Sequence, residues 1–303
     1  MPSWWQHLHR IGKVLQSESK LYANKRDKAT LTQNQVLESF APYLALWKLM
    51  PDGTPLRTTA SCLLPVSRGG EPAMLKIALS VEEARGGRLM GWWEGKGAAR
   101  VLAHDGNALL LERAEGSRSL ASMARSGADE TACRILCRTV ATLHATRKPA
   151  PSGLVPLEDW FEGLASAAVT LGGIFTTAHA TARELLSSRE GVIPLHGDIH
   201  HDNVLDFGER GWLAIDPKGL IGEHGFDYAN IFCNPDLPTA TDAGHFARRV
   251  AIVADEARLD RRRLLQWILA WGALSASWSL EDGLNGDTAL AVAKLAAAKI
   301  GSM

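Results

Sequence analysis

Alternation of apolar and polar side chains first becomes regular over residues 72–79. Met74, Lys76 and Ala78 fall on one face there, and Leu75, Ile77 and Leu79 on the other, the period of a β-strand. The turn Arg68-Gly69-Gly70-Glu71 leads into it, and a helical stretch follows over 81–93. Val204-Leu205-Asp206-Phe207 and Trp212-Leu213-Ala214-Ile215 are two β-prone runs around the loop Gly208-Glu209-Arg210-Gly211, which predicts a hairpin. Helical spacing of Leu136, Val140, Leu143 and His144 predicts a helix over 131–147, stopped by Pro149-Ala150-Pro151-Ser152-Gly153. Further helices are predicted over 165–189, 248–278 and 288–299. Residues 264–278 are apolar, but the run is short and Gly272 and several serines interrupt it, so it reads as a buried helix rather than a membrane span. Residues 33–49 fit either an amphipathic helix or an irregular lead-in, after a charged stretch from Lys20 to Lys28. No internal repeat or low-complexity segment occurs.

The densest chemistry is the run His196-Gly197-Asp198-Ile199-His200-His201-Asp202-Asn203, with Ile215-Asp216-Pro217 beyond the hairpin. If Phe207 pairs with Trp212, Asn203 lies opposite Asp216, their Cβ atoms about 5 Å apart. That spacing suits Mg²⁺, which takes one or two protein oxygens and leaves its other positions to water and phosphate. Asp198 is placed to accept a proton from a hydroxyl attacking that phosphate. A solvated acidic turn is the plain alternative. A two-metal phosphoesterase is the chemical one, but it needs further downstream ligands, and His224 and His245 are isolated. A phosphotransferase calls for an upstream lysine on a strand. Lys76 fits: an ammonium inside an apolar strand is costly unless paired, and Glu83, near the start of the next helix, is the expected partner, with Glu82 the fallback.

These segments resemble the aminoglycoside phosphotransferases of the protein-kinase-like superfamily, and among them the streptomycin 6-phosphotransferase and hydroxyurea phosphotransferase branch. The resemblance is carried by Met74-Leu75-Lys76, Gly95-Lys96-Gly97-Ala98-Ala99-Arg100, Leu109-Leu110-Leu111-Glu112-Arg113, the catalytic run, and Gly211-Trp212-Leu213-Ala214-Ile215-Asp216-Pro217 through Gly225-Phe226-Asp227-Tyr228-Ala229-Asn230. It implies an α+β, two-lobed fold: a lead-in over 1–46, a small β-rich N-lobe over 47–113 and a larger helical C-lobe over 114–303. It also implies ATP and Mg²⁺ as cofactors, with Asp198 as catalytic base or orienting carboxylate, Asn203 and Asp216 holding the metal, and Lys76 with Glu83 positioning the phosphates. Backbone groups of Glu112 to Ala114 are expected to read the adenine edge, and Asp227 to brace the catalytic loop together with His196 and His200. One departure from protein kinases stands out: no Gly-x-Gly-x-x-Gly covers the phosphates. Arg57-Thr58-Thr59-Ala60-Ser61-Cys62 occupies that place, where backbone N–H groups and the hydroxyls of Thr58, Thr59 and Ser61 are the expected cradle.

Composition agrees with an enzyme of this kind. The chain has 303 residues, 46% of them hydrophobic, enough for two lobes with their own cores. Its net charge of +0 points to neither nucleic acid nor an acidic membrane surface. Four cysteines (Cys62, Cys133, Cys137, Cys233) form no Cys-x-x-Cys pair, against a metal site or a disulfide framework. The N-terminus lacks the apolar core of a signal peptide, so a cytoplasmic monomer is expected. The resemblance makes the acceptor an aminoglycoside, specifically the 6-hydroxyl of streptomycin, with hydroxyurea or an endogenous amino-sugar as alternatives and a non-catalytic binding protein as the alternative of another class. Two guanidinium groups on that drug call for carboxylates and aromatic faces. Glu223, Asp236, Glu281, Asp282 and Asp287 are available near Trp267, Trp271 and Trp278, with Glu281 and Asp282 the best placed; a tryptophan stripe on one helix face is more often core.

Overall fold

Two glycines with positive φ, Gly69 (60°) and Gly70 (90°), make the tight turn between strands β3 (Ser61–Arg68) and β4 (Glu71–Ala78). These strands are the centre of a six-stranded antiparallel sheet in a computed structural model that describes residues 33–146 and 148–303. The charged stretch from Lys20 to Lys28, and most of the expected lead-in, lie outside the described residues. With β1 (Met50–Pro51), β2 (Leu56–Arg57), β5 (Val101–Asp105) and β6 (Ala108–Glu112), the strand order is β1-β3-β4-β6-β5, and β2 pairs with β3. The period of β4 decides what each face does. Ala73, Leu75 and Ile77 turn into a core with Cys62, Leu64, Val66 and Leu110, covered by Phe40 and Trp47 of helix α1 (Gln33–Trp47). Residues Met74 and Lys76 turn the other way, toward the cleft.

Helix α2 (Val81–Trp93) starts where the Ser80 hydroxyl accepts the Glu83 N–H (3.2 Å) and stops at Glu94, whose φ of 54° ends the helical run. The chain then turns through Gly95 and Gly97, both at positive φ, and docks on the hairpin of residues 204–214. Ala99 donates to the Ala214 carbonyl (2.9 Å), and the Ala214 N–H donates to Gly97 (2.9 Å). Beyond β6 the chain is mostly helical. Helices α4 (Asp129–His144) and α10 (Arg261–Glu281) run through one large core; α3 (Leu120–Arg125) precedes them. Trp267 and Trp271 are buried in that core, as expected of the stripe. Among the described residues no helix is long and apolar enough to cross a membrane.

Two of the predicted helices are each two helices. Residues 165–189 divide into Glu162–Thr170 and Ile174–Ser187, because Gly172 and Gly173 sit at φ of 65° and 55°. Residues 248–278 divide into α9 (Ala243–Ala257) and α10. Arg258 turns left-handed (φ 53°), and Asp260 restarts the chain by accepting the Arg263 N–H at 2.8 Å. The breaks rest on backbone conformation at Gly172, Gly173 and Arg258, which a count of apolar positions does not record.

Candidate active site

The hairpin that carries the site does not have the register the sequence suggested. Strands β9 (Val204–Asp206) and β10 (Trp212–Ala214) pair Asp206 with Trp212 and Val204 with Ala214. Phe207 belongs to the turn, where its N–H donates to the Gly211 carbonyl (2.8 Å) and Gly208–Arg210 forms one tight helical turn. Asn203 therefore faces Ile215, whose N–H donates to the Asn203 carbonyl at 2.9 Å. A slip of one residue in a strand reverses every side chain. Here the chain leaves the strand at Asp216 with a φ of 58°, a left-handed conformation that aspartate tolerates better than most residues, and the carboxylate turns into the cleft.

There, Lys76 Nζ lies 2.7 Å from Asp216 Oδ1 and 2.5 Å from Glu83 Oε2. Burial works against the lysine's charge, but Asp216 and Glu83 outweigh it and raise its pKa above the usual lysine value. Burial likewise opposes ionisation of Asp216; the ammonium of Lys76, with that of Lys218 behind it, holds the carboxyl below its usual range. Helix α2 reaches this close because of Gly86: a Cβ there would meet the Pro217 carbonyl oxygen at 1.9 Å. Trp93, at the other end of α2, stacks on the His196 ring (6.1 Å between centroids).

The loop from His196 to Asn203 is held from beneath. Asp227 accepts the N–H groups of His196 (2.9 Å) and Gly197 (2.6 Å), and His144 Nε2 lies 2.8 Å from it. Burial would raise the Asp227 pKa, but His144 and these N–H donors lower it on balance. His196 accepts the Asp198 N–H on Nδ1 (3.2 Å) and reaches the Ile215 carbonyl with Nε2 (2.8 Å), so the ring carries its proton on Nε2 and is neutral; burial pushes its pKa down. His200 Nδ1 accepts the Asp202 N–H at 3.2 Å. Both histidines brace the loop.

Asp198 itself is oriented by two amides. Asn203 Nδ2 donates to its carbonyl (2.9 Å) and to Oδ2 (3.2 Å), and Asn230 Nδ2 donates to Oδ1 (2.8 Å). Asn230 was not singled out from the sequence, although it closes the segment that contains Asp227. Lys218 was missed as well. Its Nζ stands 3.5 Å from Asp198 Oδ2 and 3.5 Å from Glu82 Oε1, and its signal was a second lysine only two residues after Asp216.

The remaining candidates are more dispersed. Thr58 organises the loop before β3: its hydroxyl accepts the N–H of Ala60 (3.2 Å) and of Ser61 (2.9 Å) and lies 3.2 Å from the buried Ser61 hydroxyl, with Thr59 between them. Glu112 closes β6. Its N–H donates to the Arg100 carbonyl (3.0 Å), and its carboxylate takes the Arg100 N–H and pairs with Arg210. Past Ala114, the Gly116 N–H reaches the Asp206 carbonyl at 3.0 Å. Glu281 and Asp282 are exposed at the end of α10, about 15 Å along its axis from Trp271 at 1.5 Å per residue. Two other carboxylates considered for a cationic acceptor are occupied by structure. Glu223 is buried against Arg263 (2.6 Å) and Trp267 Nε1 (2.9 Å), and Asp236 caps a helix through the Thr239 N–H (3.1 Å) and pairs with Arg125.

A β-rich lobe bearing a paired lysine, set over a helical lobe bearing Asp198, Asn203 and Asp216, is the protein-kinase-like fold. Residues 46–283 match the family model described as aminoglycoside/hydroxyurea antibiotic resistance kinase, and the chain belongs to that family. It is 51% identical to a streptomycin 3''-kinase of Klebsiella pneumoniae over 78% of this chain and 91% of that protein. It is 34% identical to a streptomycin 6-kinase of Streptomyces griseus, over 84% and 85% of the two chains. Among solved structures, a ternary complex of the aminoglycoside phosphotransferase APH(4)-Ia with ADP and hygromycin B superimposes with a TM-score of 0.59 at 16% identity, covering 86% of this chain and 97% of that one.

Proposed function

We propose that this chain transfers the γ-phosphoryl group of ATP to a hydroxyl of streptomycin. One observation carries the reading: the cleft gathers a charged, buried lysine, two metal-capable oxygens and an oriented carboxylate. The two kinases named for this drug support the acceptor, and the ADP complex of a protein with this fold supports the donor.

Lys76, held by Glu83, binds the phosphates, exchanging Asp216 for them. Asn203 and Asp216 fit Mg²⁺. The Asn203 amide nitrogen is committed to Asp198, which leaves its oxygen as the ligand atom, and Asp216 is ionised. A divalent cation held by Asn203 and Asp216 would supply charge neutralisation for the phosphates. Backbone groups of Glu112 to Ala114 read the adenine edge, and the Thr58–Ser61 loop, with Thr59 and Ser61, lies over the phosphates. Asp198, fixed by Asn203 and Asn230, aligns the acceptor hydroxyl and takes its proton. Glu281 and Asp282 are assigned to the guanidinium groups of the drug.

The acceptor position is the 6-hydroxyl on the branch resemblance and on the Streptomyces griseus relative, whereas the relative at 51% identity is named for the 3'' position. Purified protein with Mg·ATP, with and without streptomycin, gives the test. Drug-dependent ADP release and a product one phosphoryl group heavier are expected, with phosphorus–proton NMR correlations assigning the carbon. ADP release stimulated by hydroxyurea but not by streptomycin would move the acceptor, and release with neither would reject both.

A further inference from the structure

The cleft holds a second buried lysine that the roles above leave unused. Lys218 is fixed at its backbone, where its N–H donates to the His196 carbonyl at 2.7 Å. Gly197, at φ 83°, passes so near that a Cβ on it would lie 3.2 Å from the Lys218 Cβ. The side chain is 11% exposed and ends among three carboxylates: Asp198 and Glu82, each at 3.5 Å, and Glu83 at 4.0 Å. Lys76 occupies the Asp216 side of the same cleft. The two ammoniums approach opposite oxygens of Glu83, Lys76 at Oε2 and Lys218 at Oε1, and Lys218 is the one beside Asp198. An anionic phosphoryl group arriving beside the Asp198 carboxylate needs a cation there, because like charges a few ångströms apart repel strongly at low dielectric.

We propose that Lys218 is a catalytic residue of the transfer, turning from Glu82 to a non-bridging oxygen of the γ-phosphoryl group while it keeps Asp198 in line. The inference rests on the phosphotransferase reading. In the step it serves, the bond from γ-phosphorus to the β,γ-bridging oxygen breaks and its electron pair leaves with ADP. A bond forms from the acceptor oxygen to phosphorus, and the hydroxyl proton passes to Asp198. Lys218 keeps its own protons and supplies charge and N–H donors only.

The rival role is a strut that ties Glu82 of α2 to the catalytic loop. Lys218→Met, Lys218→Arg and Glu82→Gln separate the two. For a catalytic lysine, Lys218→Met lowers kcat for streptomycin phosphorylation and for the slow drug-free hydrolysis of ATP by about 10²–10³-fold. Mg·AMP-PNP affinity, read by calorimetry, stays within about threefold, Lys218→Arg recovers about tenfold of the lost rate, and Glu82→Gln costs far less than Lys218→Met. Turnover by Lys218→Met at the wild-type rate, or an equal loss in Glu82→Gln, would overturn the assignment. Should Lys218→Met fail to fold, Lys218→Arg decides: a lowered kcat at unchanged KM for ATP supports the proposal, and wild-type kcat rejects it. A wild-type protein that transfers phosphate from Mg·ATP neither to streptomycin nor to water would reject the phosphotransferase reading itself, a result visible before any variant is made.

Discussion

The indole N–H of Trp271 donates to Asn230 Oδ1 at 2.9 Å, and Asn230 spends its amide nitrogen on Asp198 at 2.8 Å. Asn234 adds a second donor to the same Asn230 oxygen at 3.2 Å. The Asn230 amide is thereby prevented from flipping, and a tryptophan in the core of α10 sets the rotamer of the Asp198 carboxylate. Hydrogen bonds to a charged group contribute about 1.5–3 kcal/mol. Asn230→Ala is accordingly expected to lower kcat by about ten- to a hundredfold at an unchanged KM for ATP. Trp271→Phe is expected to lower it less, since Asn234 remains. Steady-state kinetics checks both, and an Asn230→Ala enzyme with wild-type kcat would remove Asn230 from the mechanism.

Removing either oxygen assigned to Mg²⁺ should appear in the metal dependence of the rate. For Asn203→Ala the Mg²⁺ concentration giving half-maximal rate rises. Asp216→Ala goes further, since it also leaves Lys76 with Glu83 alone. Titration of Mg²⁺ at saturating ATP reads this directly, and identical metal curves for wild type and both variants would sink the assignment.

Gly86 is a test of packing rather than of chemistry. With the Pro217 carbonyl 1.9 Å from where a Cβ would stand, Gly86→Ala must push α2 off the Asp216 segment. Overpacking of this kind costs about 1–3 kcal/mol, and the melting temperature should fall by several degrees, with KM for ATP raised as Glu83 moves. Gly91, in the same helix, has nothing within 4 Å of a Cβ. Gly91→Ala should therefore hold or raise the melting temperature, by up to about 1 kcal/mol of helix propensity. Thermal melts of the pair provide the comparison.

Stability should depend on pH through His201. The ring is fully buried, and neither nitrogen has a hydrogen-bond partner among the described residues. Burial, with Arg249, His200 and Arg125 adding to it, holds its pKa well below the usual histidine value. The unfolded chain takes up a proton near pH ~6.5 that the folded chain refuses. The unfolded state therefore binds more protons, and the contribution is fully present above that pH and is lost as the pH falls toward the folded value. His201→Leu should flatten the decline of melting temperature below pH ~6.5. Part of the slope persists, because His196 and His224 are also held low, chiefly by burial. An unchanged slope in His201→Leu would show that the ring is solvated in the folded protein.

Much of this architecture could be read from local patterns, and the misses share a cause. The face of β4 that carries Lys76 follows from a period of two, and Glu83 comes near it because α2 starts directly after the strand. The hairpin register was not readable, because a five-residue turn and a four-residue one have the same composition until φ at Gly208 (62°) and Gly211 (75°) is known. Asn230 and Lys218 are polar residues whose partners arrive from 32 and 20 positions away, as their bonds to Asp198 show. No periodicity signals such contacts. The fate of Glu223 and Asp236 is the reverse case: chemically apt carboxylates already taken by Arg263 and Arg125.

The hairpin is stitched along both of its edges, to the sheet lobe on one side and to the segment just past β6 on the other. Residues 97–99 bind Ala214 on β10, and Gly116 binds Asp206 on β9, where Arg118 also grips the Asp206 carboxylate (2.8 Å). These two stitches lie on either side of β6 in sequence, so the hairpin serves as a shared clasp that neither lobe completes alone. Heat should consequently melt the molecule as one cooperative body. Cutting the chain near residue 114 should yield two fragments that fold together or not at all.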